Sequence, residues 1–140
     1  MIKKYTWNES IATGDPAIDL QHKQFFVVLY DFAEALEQGN GAKELRKLLV
    51  FLKYYGEWHF GKEESSVACY NCPMAGENIE AHKQYMVTID SLLEQIRNSN
   101  TSEELANTSY EKLTDWLVNH IMKIDMANAD YVKSSKAAIK

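Results

Sequence analysis

The sequence contains few of the residues that interrupt helices or cross-link small domains. Its 140 residues include two prolines, six glycines and two cysteines. Proline and glycine are the least favourable residues inside helices, so their scarcity favours a few long helices over a turn-rich β fold. The two cysteines, Cys69 and Cys72, form one C-x-x-C pair. A structural zinc site would need a second pair, and a thioredoxin-like site would need a flanking βαβ pattern.

The chain also lacks an excess of basic residues. Lysine and arginine number 15 against 20 acidic residues, which gives a formal net charge of -5. Nucleic acids and anionic membranes attract basic surfaces, so we expect neither as a partner. No apolar run follows Lys3 and Lys4. The N-terminal sequence therefore predicts neither a signal peptide nor a membrane anchor, and we expect a cytoplasmic protein.

Length and composition predict one folded domain. A chain of 140 residues has the size of one ordinary domain, and its 46% hydrophobic and 25% charged residues are close to the globular average. Composition of this kind argues against disorder and fibrous repeats. We therefore expect a single domain over residues 1–140.

Four segments carry apolar residues at alternating spacings of three and four, which is typical of amphipathic helices. The first segment begins at Asp15-Pro16, where a capping residue precedes a proline. The second covers about 43–66 and the third about 78–97, and the fourth follows a capping sequence at 101–104. The inner faces are expected to include Ile79 in the third segment and Ile124 in the fourth. Most connections are short, so the pattern predicts an all-α, up-down-up-down antiparallel four-helix bundle with an N-terminal arm.

All the histidines of the chain lie on these apolar faces, at His22, His59, His82 and His120. In an antiparallel bundle the starts of the first and third helices meet the ends of the second and fourth, so the four rings converge at one end. A single histidine on an apolar face is more often a core residue than a ligand. Four buried imidazoles without a metal would leave ring nitrogens unpaired, and Glu63 shares a helical face with His59. We therefore predict a metal site.

Four motifs, in chain order, resemble those of the bacterial hemerythrins. They are Trp7 to Gly14 followed by Ile18-Asp19-Leu20-Gln21-His22-Lys23, then His59-Phe60-Gly61-Lys62-Glu63-Glu64 (H-F-x-x-E-E), Glu80-Ala81-His82-Lys83, and Trp116-Leu117-Val118-Asn119-His120-Ile121 through Asp125 (W-L-x-x-H-I-x-x-x-D). Each motif alone is a weak signal, but four of them in order on a helical bundle plan are specific. The resemblance extends over nearly the whole chain.

This resemblance implies two iron ions inside the bundle, joined by an oxo or hydroxo bridge. The implied metal ligands are His22, His59, Glu63, His82, His120 and Asp125. The two carboxylates would bridge the ions. His22 and His120 would bind the iron that keeps an open coordination position, and the remaining two histidines would bind the other iron.

The resemblance also implies a function for the apolar residues near the last histidine. Leu117, Trp116 and Ile121 would line a pocket that keeps water and protons away from bound oxygen. The implied ligand is dioxygen or another small diatomic molecule or peroxide, and the implied role is that of an oxygen carrier, store or sensor rather than an enzyme.

Two features depart from the family pattern. The family places a further histidine four residues after His82, where this chain has Met86. A thioether is a weak ligand for hard iron, so Met86 either binds weakly or only fills core volume. An under-ligated iron would favour a di-iron enzyme that turns over peroxide or nitric oxide, or a metal-poor signalling or structural bundle. Cys69 and Cys72 are open to three interpretations: free thiols in a loop, a reversible disulfide, or a thiolate near the metal.

Overall fold

The protein, seen in a computed structural model, is described over residues 2–69 and 72–139, with side chains over 2–65 and 72–134. Its elements are a 3-10 turn Glu9–Ile11, α1 Pro16–Glu37, α2 Gly41–Cys69, α3 Ala75–Asn98, α4 Glu103–His120, a π-helical turn Ile121–Asp125 and α5 Met126–Ile139. Within these ranges there is no strand, and no helix is long and apolar enough to cross a membrane. The all-α prediction is confirmed.

Contacts between neighbouring helices establish the antiparallel arrangement. Lys53 of α2 forms an ion pair with Asp90 of α3, with 2.9 Å between Nζ and Oδ1. Phe60 lies further along α2, and its ring stacks at 3.9 Å between centroids on His82, which lies earlier in α3. Advancing along one helix therefore means moving back along the next, as the predicted bundle requires. α4, the π-helical turn and α5 together form its fourth member.

Local capping signals begin two of the helices where the sequence predicts them. The Asp15 carboxylate accepts a hydrogen bond from the Ala17 N–H at 3.0 Å, just before the proline that opens α1. Ser102, rather than Thr101, caps α4, and its Oγ accepts from the Leu105 N–H at 3.0 Å. α2 and α3 extend a few residues beyond their predicted ends, as helix boundaries commonly do.

The core runs along the centre of the bundle, and the N-terminal arm packs on its outside. Side chains with at most 1% of their area exposed include Phe25, Leu29, Leu49, Leu52, Ile89 and Leu113. Burial of each such side chain contributes about 2 kcal/mol to folding. The arm is held by Tyr110, whose hydroxyl donates to the Lys3 carbonyl at 2.7 Å, and by an ion pair of Lys4 with Glu37 at 3.0 Å.

The fourth helix changes pitch just after His120. The Met126 N–H donates to the Ile121 carbonyl five residues earlier, which is the hydrogen bond of a π-helix. This wider turn rotates the following side chains relative to a regular helix. Asp125 is consequently buried, whereas Ile124 is only half-buried. The prediction that Ile124 continues the inner face is therefore wrong, because a regular helical period was assumed across the turn.

The inner face of α3 also begins one residue earlier than predicted. Ile79 is 36% exposed, whereas its neighbour Asn78 is fully buried. From Asn78, the buried face of the helix continues through His82, Tyr85 and Ile89, at successive spacings of four, three and four residues. The prediction that Ile79 packs inward is wrong. The inward-facing position of this first turn belongs to the polar residue Asn78, which a pattern of apolar residues does not detect.

Candidate metal centre

The four histidines lie together at one end of the bundle, and none is more than 5% exposed. His22 near the start of α1 and His59 near the end of α2 have ring centroids 4.7 Å apart. His82 near the start of α3 and His120 at the end of α4 have ring centroids 4.8 Å apart. The antiparallel packing of the helices thus brings residues that are far apart in sequence into one buried layer.

The potential metal ligands divide into two groups of three. One is His22, His59 and Glu63, and the other is His82, His120 and Asp125. Within each group, the potential ligand atoms all lie within 4.8 Å of one another. This division differs from the expected one, which paired His22 with His120 and His59 with His82. The expected pairing is corrected because the rings in contact belong to successive helices, α1 with α2 and α3 with α4.

Each carboxylate of the centre reaches histidines of both groups. Glu63 Oε1 lies 2.6 Å from His59 Nε2 and 3.9 Å from His82 Nε2. Asp125 Oδ1 lies 3.1 Å from His120 Nε2, and its Oδ2 lies 3.4 Å from His22 Nε2. Asp125 thus has one oxygen near each nitrogen set, whereas Glu63 approaches both sets through Oε1, and both positions suit a carboxylate that bridges two ions.

The polar atoms of the centre are buried without enough hydrogen-bond partners. Those that lack one are both ring nitrogens of His22, Nδ1 of His120, Oε1 of Glu63 and both carboxylate oxygens of Asp125. The short contact of Glu63 Oε1 with His59 lacks hydrogen-bond geometry. Each unsatisfied buried group costs about 1–3 kcal/mol. Cations bound there would satisfy four of these six atoms, namely His22 Nε2 and the three carboxylate oxygens, so the residues present fit two metal ions.

The pKa values of the histidines diverge. Burial, together with the charge of His22, lowers the pKa of His59 to about 3. Burial lowers the pKa of His82 to about 4. Burial would also lower the pKa of His22, but its contacts with the carboxylates of Asp125 and Glu63 raise it to about 9. Without metal, the His22 imidazole is therefore expected to be protonated at neutral pH, and those of His59 and His82 are expected to be neutral.

The two carboxylates also titrate differently. Burial, together with the charge of Asp125, raises the pKa of Glu63 to about 8. Burial would raise the pKa of Asp125 too, but close contacts with the rings of His120 at 3.1 Å and His22 at 3.4 Å hold it below its ordinary value. Two adjacent buried carboxylates repel each other, so one of them retains a proton near neutral pH when no cation is present. A bound metal would compete with that proton.

Comparison with known proteins identifies this arrangement. The family profile described as "Hemerythrin HHE cation binding domain" matches residues 13–130. The chain belongs to the hemerythrin family. It is 28% identical over 121 residues to a myohemerythrin from Sipunculus nudus, which covers 86% of this chain and 88% of that protein. It is 24% identical over 123 residues to hemerythrin-like proteins from Naegleria gruberi and Naegleria fowleri, with 87% of this chain and 88% of each relative covered.

Family membership confirms the resemblance seen in the four sequence motifs and identifies the chain as a cation-binding domain of the hemerythrin type. The matched region contains every residue of the two ligand groups.

Two polar side chains orient the rings of this hemerythrin centre. His59 Nδ1 lies 2.6 Å from Gln21 Oε1, and His82 Nδ1 lies 3.0 Å from Glu64 Oε2. An Nδ1–H that donates to these oxygens leaves the Nε2 lone pair directed into the centre. Sequence reasoning gave neither Gln21 nor Glu64 a role, although both stand next to a predicted ligand in the motifs.

Apolar and aromatic side chains surround the histidine of the fourth helix. Trp116 stacks on the ring of His120, with 4.6 Å between centroids and 9° between planes, and also on Tyr85 at 4.1 Å. Leu117 and Ile121 are each 1% exposed and belong to the core. Of the three predicted lining residues, Trp116 is half-buried and contacts a ring of the centre, whereas Leu117 and Ile121 are buried core residues close to His120 in the chain.

Met86 lies on the core side of α3. Its Sδ lies 3.9 Å from the position that a Cβ on Gly56 would occupy, and its half-buried side chain packs on the hydrophobic core. Gly56 is one helical turn before His59 in α2. This position favours the interpretation of Met86 as core filler over that of a metal ligand.

The cysteine pair is described only in part. Cys72 is 5% exposed, so it is not a solvent-facing thiol, and its Sγ lies 3.9 Å from the Asn128 carbonyl oxygen. Burial raises the pKa of the Cys72 thiol. Neither ligand group includes Cys72. The side chain of Cys69 lies outside the described residues. The hypothesis of a reversible disulfide between Cys69 and Cys72 therefore also concerns a part of the chain that is not described.

Two buried amides near the centre were missed by sequence reasoning. Asn78 and Asn128 are at most 2% exposed, and the amide nitrogen and oxygen of each lack hydrogen-bond partners. Asn78 precedes His82 by four residues, and Asn128 follows Asp125 by three. These helical spacings place each amide on the same face as a potential ligand, and this was the available signal.

Proposed function

We propose that the two ligand groups bind two iron ions, joined by an oxo or hydroxo bridge, and that the centre takes up dioxygen reversibly. The observation that supports this is the position of Glu63 and Asp125, each with oxygens near histidines of both groups. A ligand set of imidazole and carboxylate suits ferrous iron. Calcium prefers oxygen ligands alone, and structural zinc sites are usually rich in thiolate, so both fit this ligand set less well.

The protein side chains would have three tasks in this function. The histidines and carboxylates hold the ions, and Gln21 and Glu64 keep two of the rings oriented. Leu117, Trp116 and Ile121 exclude water from the oxygen-binding side. When bound, two ferrous ions supply the electrons for reversible oxygen uptake. The role we propose is that of an oxygen carrier, store or sensor, not an enzyme, working in the cytoplasm as one domain over residues 1–140.

A second candidate function follows from Met86. The group of His82, His120 and Asp125 contains two histidines, and the thioether that replaces the family's further histidine lies beside Gly56. An iron ion held there would have fewer strong ligands than in the family pattern and would be more open to other molecules. This arrangement would favour an enzyme that turns over peroxide or nitric oxide.

Anaerobic reconstitution tests the proposal. Metal-free protein is titrated with ferrous iron, the bound iron per chain is measured, and the visible spectrum is recorded before and after exposure to air. We expect two iron ions per chain and an oxygen-dependent absorption band that disappears when oxygen is removed. The substitution Glu63→Ala removes one bridging carboxylate and should abolish the band.

The other outcomes each exclude the carrier function. Rapid, irreversible oxidation of the iron, accompanied by repeated consumption of added peroxide or nitric oxide, would establish the enzyme instead. One iron ion per chain or none would eliminate both di-iron functions and leave the metal-poor signalling or structural bundle.

A further inference from the structure

A cavity of about 230 Å³ connects the surface with the carboxylate side of the metal centre. It lies between the start of α1 and the first turns of α5. Its inner wall includes Glu63 and Asp125, and its outer wall includes Gly14, Asp15 and Lys133. Asp15 and Lys133 are exposed, so the outer end meets solvent. Leu117, Trp116 and Ile121, the predicted lining of the oxygen pocket, do not line this cavity.

An unpartnered amide lines this cavity between its two ends. Asn128 is 2% exposed, and neither its amide oxygen nor its amide nitrogen has a hydrogen-bond partner. Asn128 lies one helical turn after Asp125. Because an unsatisfied buried amide costs about 1–3 kcal/mol, its presence here calls for a polar occupant of the cavity.

The cavity has a positively charged group at its outer end and carboxyl groups at its inner end. Lys133 lies across Gly14, with its Nζ only 2.8 Å from the position that a Cβ on Gly14 would occupy. Gly14 also has a φ of 89°, which disfavours any other residue. The ammonium group therefore lies at the outer end of the cavity, close to Gly14. Inside the cavity, the polar side chains are Thr13, whose hydroxyl donates to Asp19, then the unpartnered Asn128 amide and the carboxylates of Glu63 and Asp125.

We propose that this cavity is the port through which a divalent cation enters the metal centre. Oxygen donors from Asp15, Asn128 and Glu63 could replace the waters of a hydrated ferrous ion stepwise before it reaches the histidine nitrogens. Lys133 opposes entry by charge repulsion and acts as the gate. This inference rests on the proposed metal centre and concerns only how it is loaded.

Loading kinetics test the gate. Metal-free protein is mixed with ferrous ions under anaerobic conditions, and uptake is followed by tryptophan fluorescence, since Trp116 stacks on His120. The substitution Lys133→Ala should speed uptake on the order of fourfold at low ionic strength, as expected for one charge about 10 Å from a divalent ion in water. Added salt should reduce this effect. The matched control Lys112→Ala removes an exposed lysine that lies outside the cavity wall, and its uptake rate should equal that of the unmodified protein.

Two substitutions at Asn128 test the intermediate position. Asn128→Leu fills similar volume without a donor oxygen and should slow uptake about fivefold, comparable to the loss of one polar partner. Asn128→Asp supplies a carboxylate and should not slow it. If both variants slow uptake equally, Asn128 has only a packing role and the proposal fails. Thermal unfolding of each metal-free variant verifies that it is folded.

The remaining outcomes separate this proposal from the proposed function. Uptake rates that are the same in the unmodified protein, Lys133→Ala and Asn128→Leu would overturn the port, even if two ions are finally bound. If Lys133→Ala leaves metal uptake unchanged but slows the binding of azide to the loaded protein, the cavity admits anions and the port for cations is excluded. The final number of ions per chain, measured on the unmodified protein, tests the metal centre independently.

Discussion

Asp125 follows His120 by five residues, yet Asp125 Oδ1 lies 3.1 Å from His120 Nε2. Along a regular helix, five residues would place the two side chains about 140° apart. The π-helical turn from Ile121 to Asp125 removes much of this angle, so one helix supplies both a nitrogen and an oxygen to the same group. Single π-helical turns are rare and frequently occur at functional sites.

Exchanging two adjacent residues tests the importance of this turn. In the double variant Ile124→Asp/Asp125→Ile the carboxylate moves to the position a regular helix would favour, which is only half-buried. We expect fewer than two metal ions per chain, measured by elemental analysis after loading. Ile124→Asp alone keeps Asp125 in place and should still bind two ions. Retention of two ions by the double variant would contradict the position that the structure gives to Asp125.

Glu64 should strengthen metal binding through the orientation of His82. The substitution Glu64→Ala removes the acceptor 3.0 Å from His82 Nδ1, and losses of this kind commonly weaken metal affinity 10- to 100-fold. Glu80→Ala removes the same charge at an exposed position of α3 and serves as the control. Affinity is measured by competition with a chelator. Equal affinities for the two variants would mean that Glu64 contributes only its charge.

The substitution Met86→His should tighten binding of the second metal ion by at least about tenfold. A histidine at this position restores the family's additional imidazole one turn after His82, and imidazole is a better ligand for iron than thioether. Met86→Leu keeps a similar volume and should leave both metal affinities unchanged, because Met86 packs against the core. A large loss of affinity in Met86→Leu would instead identify the thioether as a ligand.

Metal loading at pH 7 should release about two protons per chain from the ligands, in addition to those that water loses in forming the oxo or hydroxo bridge. One comes from His22, whose pKa is raised to about 9, and one from Glu63, whose pKa is raised to about 8. His59 and His82, with pKa values of about 3 and 4, are already neutral at this pH. Calorimetric titration in two buffers of different protonation enthalpy measures this number. Release of no protons would contradict the charge state described for the metal-free centre.

The stability of the metal-free protein should be greatest near pH 6.5. His59 and His82 have lowered pKa values, so the stability they provide above 6.5 is lost as the pH falls toward 4. His22 has a raised pKa, so its stabilisation is lost as the pH rises from 6.5 toward 9. Glu63, raised from 4.5 to about 8, partly offsets the first change and adds to the second. Urea midpoints at pH 4.5, 6.5 and 8.5 measure the profile, and a midpoint that rises steadily to pH 8.5 would contradict it.

The bundle and the layer of four histidines could be predicted from the sequence. The apolar spacings identify the buried face of each helix, because burial of that face stabilises the fold. Short connections make successive helices antiparallel, which places the start of α1 beside the end of α2. Four polar rings on those faces, with Glu63 beside one of them, were enough to predict a metal site, and the resemblance of the four motifs supplied the hemerythrin type and Asp125.

The finer geometry depends on how the helices are rotated and spaced when they pack. The pairing of His22 with His59, rather than with His120, follows from contacts between rings on different helices, which no spacing along one helix determines. The inward position of Asp125 depends on a π-helical turn whose cost must be offset by the burial and contacts of the folded bundle. Sequence periodicity places a side chain on a face, whereas ligand groups depend on distances of a few ångströms, and only tertiary packing decides these.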